Sequence, residues 1–403
     1  MRFVVFSCFI FMVTTVGFAQ DYGLNYDESK VPDYTLPPIL ETTDGDPVHT
    51  VRDWKNIRRP EIMSLYEELV YGQIPQHYDA LRVEVVNEDR EAIDGTATLK
   101  EVDITTERNG NSVTLRVNLF IPNDINQPAP VFLLINHRSP ENIDPTREVK
   151  MDFWPVEMAI PKGYAMASFH VGDVADDDKE TWHHDIVDNL YPEQLNQPDG
   201  MKALGAWGWG AMRIMDYFEI DPEINENQVA LIGHSRGGKS ALWTAAVDER
   251  FAMVISNESG CGGAALYKRE YSETIKLLND VRPHWFCDNL ELYNDREADL
   301  PVDQHMLIAA MAPRPVYVGS AEEDPGADPK GEFLALKHGS EVYEKIYNLP
   351  VDVPDEMPPV NRPIIESYTG YHIRSGEHDL DLYDWQQYFK FADYHFKNMQ
   401  ADK

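Results

Sequence analysis

Ser235 stands in Gly233-His-Ser-Arg-Gly237, behind the apolar run Val229-Ala-Leu-Ile232 and ahead of a helical stretch from Gly238 to Asp248. A Gly-x-Ser-x-Gly turn between a strand and a helix is a nucleophile elbow. Its glycines are required because side chains there collide with neighbouring backbone. The turn lifts the serine above the sheet at a helix N-terminus, where backbone N–H groups can stabilise a developing oxyanion. A serine hydroxyl is a weak nucleophile at neutral pH, so it needs a histidine base and a carboxylate that orients the base. Of the 13 histidines, His305, His338, His372, His378 and His395 come late enough in the chain order nucleophile, acid, histidine. His378, in the polar stretch Arg374-Ser-Gly-Glu-His-Asp379 before the last helix, is the expected base. His372 falls within a strand and is expected to be structural. Two carboxylates compete for the acid: Glu258 in Ser256-Asn-Glu-Ser-Gly260, and Asp324 in Ser320-Ala-Glu-Glu-Asp324. The glycine-rich Gly260-Cys-Gly-Gly263 implies tightly turned backbone beside Glu258.

The elements that must position these groups are legible as texture. Val113 to Ile121 alternates as an antiparallel strand does. From about residue 129 short, wholly apolar runs take over: Val131 to Ile135, Tyr164 to Phe169, Val229 to Ile232, Phe251 to Ile255 and Pro315 to Val318. Helical stretches separate them, including Lys202 to Phe218 and Lys239 to Val247, and a last helix runs from about Leu382 to Met399. Strands buried on both faces and alternating with helices form a mostly parallel, doubly covered sheet. The reading is an α/β-hydrolase three-layer sandwich with antiparallel N-terminal edge strands. Met1 to Ala19 has a basic start, an apolar run and small closing residues, and reads as a secretory signal peptide. Residues 20–54, rich in Pro and Asp, read as an extended lead-in, and residues 55–403 as one catalytic domain.

The net charge of −34 excludes nucleic acid as a partner, because phosphates would be repelled, and disfavours anionic membranes. No stretch after the signal peptide is apolar enough to span a bilayer, so the expectation is a secreted or periplasmic monomer. Cys261 and Cys287 remain in the mature chain, and their pairing is left open.

At these residues the sequence resembles the glucuronoyl esterases, carbohydrate esterase family 15. The resemblance covers roughly residues 55 to 398. It rests on Glu61 to Pro75, Gly233-His-Ser-Arg-Gly-Gly-Lys239, Asn257-Glu-Ser-Gly-Cys-Gly-Gly263, Leu300 to His305 with Ala312-Pro-Arg-Pro315, and Gly376-Glu-His378 ahead of Asp384-Trp385. The resemblance implies attack by Ser235, His378 as base and Glu258 as the family's acid, with Asp324 matching an aspartate that some bacterial members use. It implies that Arg236 supports the oxyanion, and that Lys239 and Glu273 bind the sugar. Lys239 lies one helical turn past Ser235, so both can face one cleft. Glu258→Ala is accordingly expected to cost more than Asp324→Ala. The sequence departs from the family at Gly326, where members commonly carry a tryptophan against the sugar. Trp182, Trp207, Trp209 and Trp285 are the alternative platforms. The implied substrate is a glucuronoxylan or lignin–carbohydrate ester, cleaved without metal or cofactor. An acetyl-xylan or other carbohydrate esterase, and a non-catalytic carbohydrate-binding protein, are the competing readings.

Overall fold

The computed structural model describes residues 23–401, so the expected signal peptide, Met1 to Ala19, lies outside the described residues. A nine-stranded sheet organises them, in the order β1-β2-β3-β5-β4-β6-β7-β8-β9. Strands β1 (Ala80–Glu91), β2 (Ala97–Arg108) and β3 (Asn111–Pro122) form an antiparallel meander at one edge, and β3 joins β5 antiparallel. The remaining strands are parallel: β4 (Ala129–Asn136), β5 (Ala165–His170), β6 (Ile224–His234), β7 (Met253–Asn257), β8 (Val316–Ala321) and β9 (Thr369–Arg374).

The wholly apolar runs have a direct structural reason. Successive strand residues point to opposite faces, and each face carries its own core. Leu133, Ile135, Val229 and Leu231 belong to one core, whereas Phe132, Leu134, Ala230 and Ile232 belong to the other. The first core packs under α1 (Arg59–Leu69), α2 (Ala203–Phe218), α3 (Arg236–Val247) and α4 (Pro329–Lys345), through residues such as Tyr66, Trp207, Leu242 and Phe333. The second lies under α5 (Leu382–Ala401), whose Trp385, Tyr388, Phe389 and Ala392 form its inner stripe. Parallel strands all point their C-terminal ends the same way, so the loops after β6, β7, β8 and β9 gather at one edge of the sheet.

The N-terminal stretch lacks long elements but is strapped to the surface. Arg58 donates from Nη2 to Pro38 O at 2.7 Å and from Nε to Ile39 O at 3.0 Å. Glu28 pairs with Arg269 and, at 2.6 Å, with Lys330. Cys261 and Cys287 are both buried free thiols.

Candidate active site

The turn between β6 and α3 is set by steric exclusion. A Cβ on Gly233 would lie 2.0 Å from Gly237 O, and one on Gly238 would lie 3.0 Å from Gly233 O. Ser235 itself has φ 53° and ψ −127°, strained for a side-chain-bearing residue, and donates its N–H to Asn257 O at 2.8 Å. Strain held this way by surrounding structure concentrates at functional positions. Arg236 is the first residue of α3, so its N–H has no acceptor within the helix.

His378 follows β9 and meets two carboxylates through one nitrogen. Its Nδ1 lies 2.6 Å from Asp324 Oδ2 and 3.2 Å from Glu258 Oε2. Glu258 follows β7 and Asp324 follows β8, so three neighbouring strand ends converge on this ring. Burial opposes the charged imidazole, but hydrogen bonds and charge from Asp324 and Glu258 outweigh it and raise the His378 pKa to about 9. Glu258 is fully enclosed, and burial lifts its carboxyl to about 7 although His378 and Arg374 pull it down. Its Oε1 accepts from Arg374 Nη2 at 2.8 Å and its Oε2 from Asp379 N at 2.9 Å. Arg374 also reaches Asp384 Oδ2 at 3.0 Å, while His372 Nε2 lies 2.7 Å from Asp384 Oδ1 deep in the core.

Against His378 lies a second histidine ring, tilted by 42° with the centroids 4.5 Å apart. This His234 sits between Asn257 Oδ1 at 2.6 Å and Arg138 Nη2 at 3.1 Å. Asn257 donates its amide to Tyr388 OH, so its oxygen accepts from His234 Nδ1–H, and Nε2 accepts from Arg138. Burial holds His234 neutral, well below the usual imidazole range. The ring beside His378 is thus uncharged, with both nitrogens satisfied.

Arg236 Nη1 contacts Asp177 directly, and the guanidinium lies 4.9 Å over the Trp285 ring. Asp177 Oδ1 takes further bonds from His284 Nε2 at 3.0 Å and Trp285 Nε1 at 2.8 Å. Burial works against this carboxylate, but the bond from His284 and the charge of Arg236 hold it well below the usual range. Lys239 is buried, donating to Ser259 O at 2.6 Å and to Cys261 O, with Glu273 Oε2 3.7 Å away. The loop carrying Ser259 and Gly260 is anchored from below by Glu332. Its Oε1 accepts from both backbone N–H groups, at 2.8 Å and 3.0 Å, and its Oε2 accepts from Ser320 Oγ at 2.6 Å.

Ser235, Arg236, Lys239, Glu258, Glu273, Asp324 and His378 all line one cleft of about 400 Å³. The elbow serine, both acid candidates, the base candidate and the expected oxyanion and sugar-binding residues are therefore in one place. Of the four tryptophans considered as platforms, Trp285 lines this cleft. Trp207 and Trp209 are enclosed in the core, and Trp182 is covered by Lys202 Nζ at 5.1 Å. Asp177, Arg374 and Glu332 escaped the sequence reading, because each is a common residue type in a segment without a motif. Among the described residues, two groups have donor atoms close enough to share a metal ion: Glu258, Asp324 and His378, and the more exposed His183, His184 and Asp188. In the second, His183 Nδ1 lies 2.8 Å from Asp188 Oδ2.

A hydroxyl on a strained elbow and an imidazole held by carboxylates, at the C-terminal edge of a mostly parallel sheet, define an α/β-hydrolase of the esterase type. Residues 104–346 match the family described as glucuronyl esterase of fungi, and the chain belongs to this family of carboxylic ester hydrolases. It is 38% identical to a carbohydrate esterase from an unknown prokaryotic organism, over 94% of this chain and 93% of that one. A 4-O-methyl-glucuronoyl methylesterase of Schizophyllum commune is 26% identical over 74% of this chain and 70% of its own length. The glucuronoyl esterase from Solibacter usitatus superposes with a TM-score of 0.84 at 37% identity, covering 91% of this chain and 99% of that one.

Proposed function

We propose that the chain is a secreted serine esterase that hydrolyses 4-O-methylglucuronoyl esters, of the kind joining glucuronoxylan to lignin alcohols. The observation that carries this reading is His378 Nδ1 gripped by Asp324 and Glu258 in the cleft that Ser235 lines. With Nδ1 occupied by carboxylates, Nε2 is the nitrogen left to take the Ser235 proton. The serine oxygen attacks the ester carbonyl, the Arg236 N–H and guanidinium meet the oxyanion, and the protonated His378 passes its proton to the leaving alcohol. Water, deprotonated by the same nitrogen, then releases glucuronate from the acyl-serine.

Lys239 and Glu273 would read the sugar. Two of the three ammonium protons of Lys239 go to carbonyls, which leaves one for a ring hydroxyl beside Glu273. A methyl 4-O-methylglucuronate ester is expected to be hydrolysed far faster than acetylated xylan in steady-state assays. Preference for the acetyl ester would transfer the site to the acetyl-xylan esterase reading, which has no use for Lys239 and Glu273. Export is supported by the layout of Met1 to Ala19.

The protonation state of His378 sets the pH response. A general base works in its neutral form, and Asp324 and Glu258 raise the pKa of this ring to about 9. The kcat/KM should therefore climb about tenfold per pH unit from pH 7 towards 9 and level off above it. In Asp324→Asn the plateau should begin at lower pH, because one negative neighbour is gone. A wild-type profile flat between pH 6 and 9 would contradict the raised pKa of His378.

A further inference from the structure

The N-terminal arm forms part of the cleft wall. Leu24 and Tyr26 line the same cleft as Ser235, although more than 200 residues separate them in the chain. The arm is fastened at several points. Asn25 O accepts from Ser272 N at 2.7 Å, and Tyr26 O from Tyr271 OH at 3.3 Å. Glu28 bridges Arg269 and Lys330, and Arg269 is itself gripped by Asp328 at 2.8 Å. Ser272 also donates its hydroxyl to Gly326 O at 2.6 Å, so one serine ties the arm to position 326.

Gly326 lines the cleft without a side chain. An added Cβ would meet only Asp324 Oδ1, at 3.2 Å, within 4 Å. Tyr26 lines the same cleft as Gly326. It is 52% exposed, and its ring meets Tyr271 edge-on at a centroid distance of 6.1 Å. On its other side the arm borders a polar hollow of about 480 Å³, so Leu24 and Tyr26 form a thin partition and are not core residues.

The geometry points to Tyr26 as a specificity-determining residue whose ring packs against the C–H face of the bound sugar, in the space left open at Gly326. This assignment rests on the glucuronoyl esterase reading of the cleft. The sugar side is specified by Ser272, which precedes the sugar-facing Glu273 and holds both the arm and the loop of Asp324. An aromatic face against apolar C–H groups gives modest binding energy and does no chemistry, so its loss falls on KM.

Three substrates test it: methyl and benzyl glucuronoyl esters, and 4-nitrophenyl acetate, which has no sugar. Tyr26→Ala should raise KM about three- to tenfold on both glucuronoyl esters, leave kcat within twofold, and leave acetate hydrolysis unchanged. Tyr26→Phe, which keeps the ring, should behave as wild type. A loss confined to the benzyl ester would place the ring against the alcohol and overturn the assignment to the sugar. An equal loss on all three substrates would mean that the arm only supports the fold, and no loss on any would mean that the ring touches nothing. Both outcomes overturn the proposal. If wild type hydrolyses the acetate but neither glucuronoyl ester, the glucuronoyl reading itself fails, and Tyr26 is not the cause.

Discussion

Replacing Ser235 by Ala is expected to lower kcat on a glucuronoyl ester about ten-thousandfold or more, with the circular dichroism spectrum and melting temperature close to wild type. The size follows from the mechanism: without the hydroxyl no acyl intermediate forms, and only binding and oxyanion stabilisation remain to assist direct attack by water. The fold should tolerate the change, because Ala meets the same backbone strain at φ 53° that Ser already meets, and the N–H to Asn257 O is retained. Ester binding should survive, since Lys239 and Glu273 are untouched. A variant that kept even a tenth of wild-type turnover would remove Ser235 from the mechanism.

The second large effect concerns the paired acids. Removing both, as Glu258→Ala with Asp324→Ala, should cost roughly a thousand- to ten-thousandfold in kcat, because His378 loses the groups that fix its tautomer and stabilise its cation. Each single variant should cost much less, about ten- to a hundredfold, since the other carboxylate still contacts the same nitrogen. The order between the singles is of interest. From sequence, Glu258→Ala was expected to cost more. The distances favour the opposite for turnover, with Asp324 at 2.6 Å and Glu258 at 3.2 Å from Nδ1. Glu258 is committed elsewhere, to Arg374 and to Asp379 N. Its removal deprives a buried guanidinium of one of its carboxylates, so Glu258→Ala should show the larger fall in melting temperature. Kinetics and thermal unfolding on the two singles and the double separate these effects. Equal turnover in the double and in Glu258→Ala alone would return the orienting role to Glu258.

Much of the sheet could be read in advance because its cause is local. Strands covered on both faces must be apolar at every position, and β4 to β8 overlap the runs expected from that rule. The strand after the elbow was placed at Phe251 to Ile255 and is found at Met253–Asn257, displaced because pairing with β6 and β8, and not hydropathy, ends it. The charged β1 gave little hydrophobic signal, being an exposed edge strand held by its register with β2. The Pro- and Asp-rich start read as a lead-in, yet its ion pairs to Arg269 and Lys330 make it a wall of the cleft.

The sequence by itself determined the groups whose requirement is satisfied by immediate neighbours. An elbow needs glycines at fixed offsets from its serine, and a base on a loop before the last helix has few histidines to choose from. Tertiary structure decided everything that depends on which loop ends meet. Only the tertiary fold brings the loops after β7, β8 and β9 around one imidazole, places Asp177 against Arg236, and sets Tyr26 in the wall of the cleft that Ser235 lines. The physical reason is range: backbone sterics act within a few residues, whereas a hydrogen bond between side chains a hundred residues apart exists only once the sheet has set their distance.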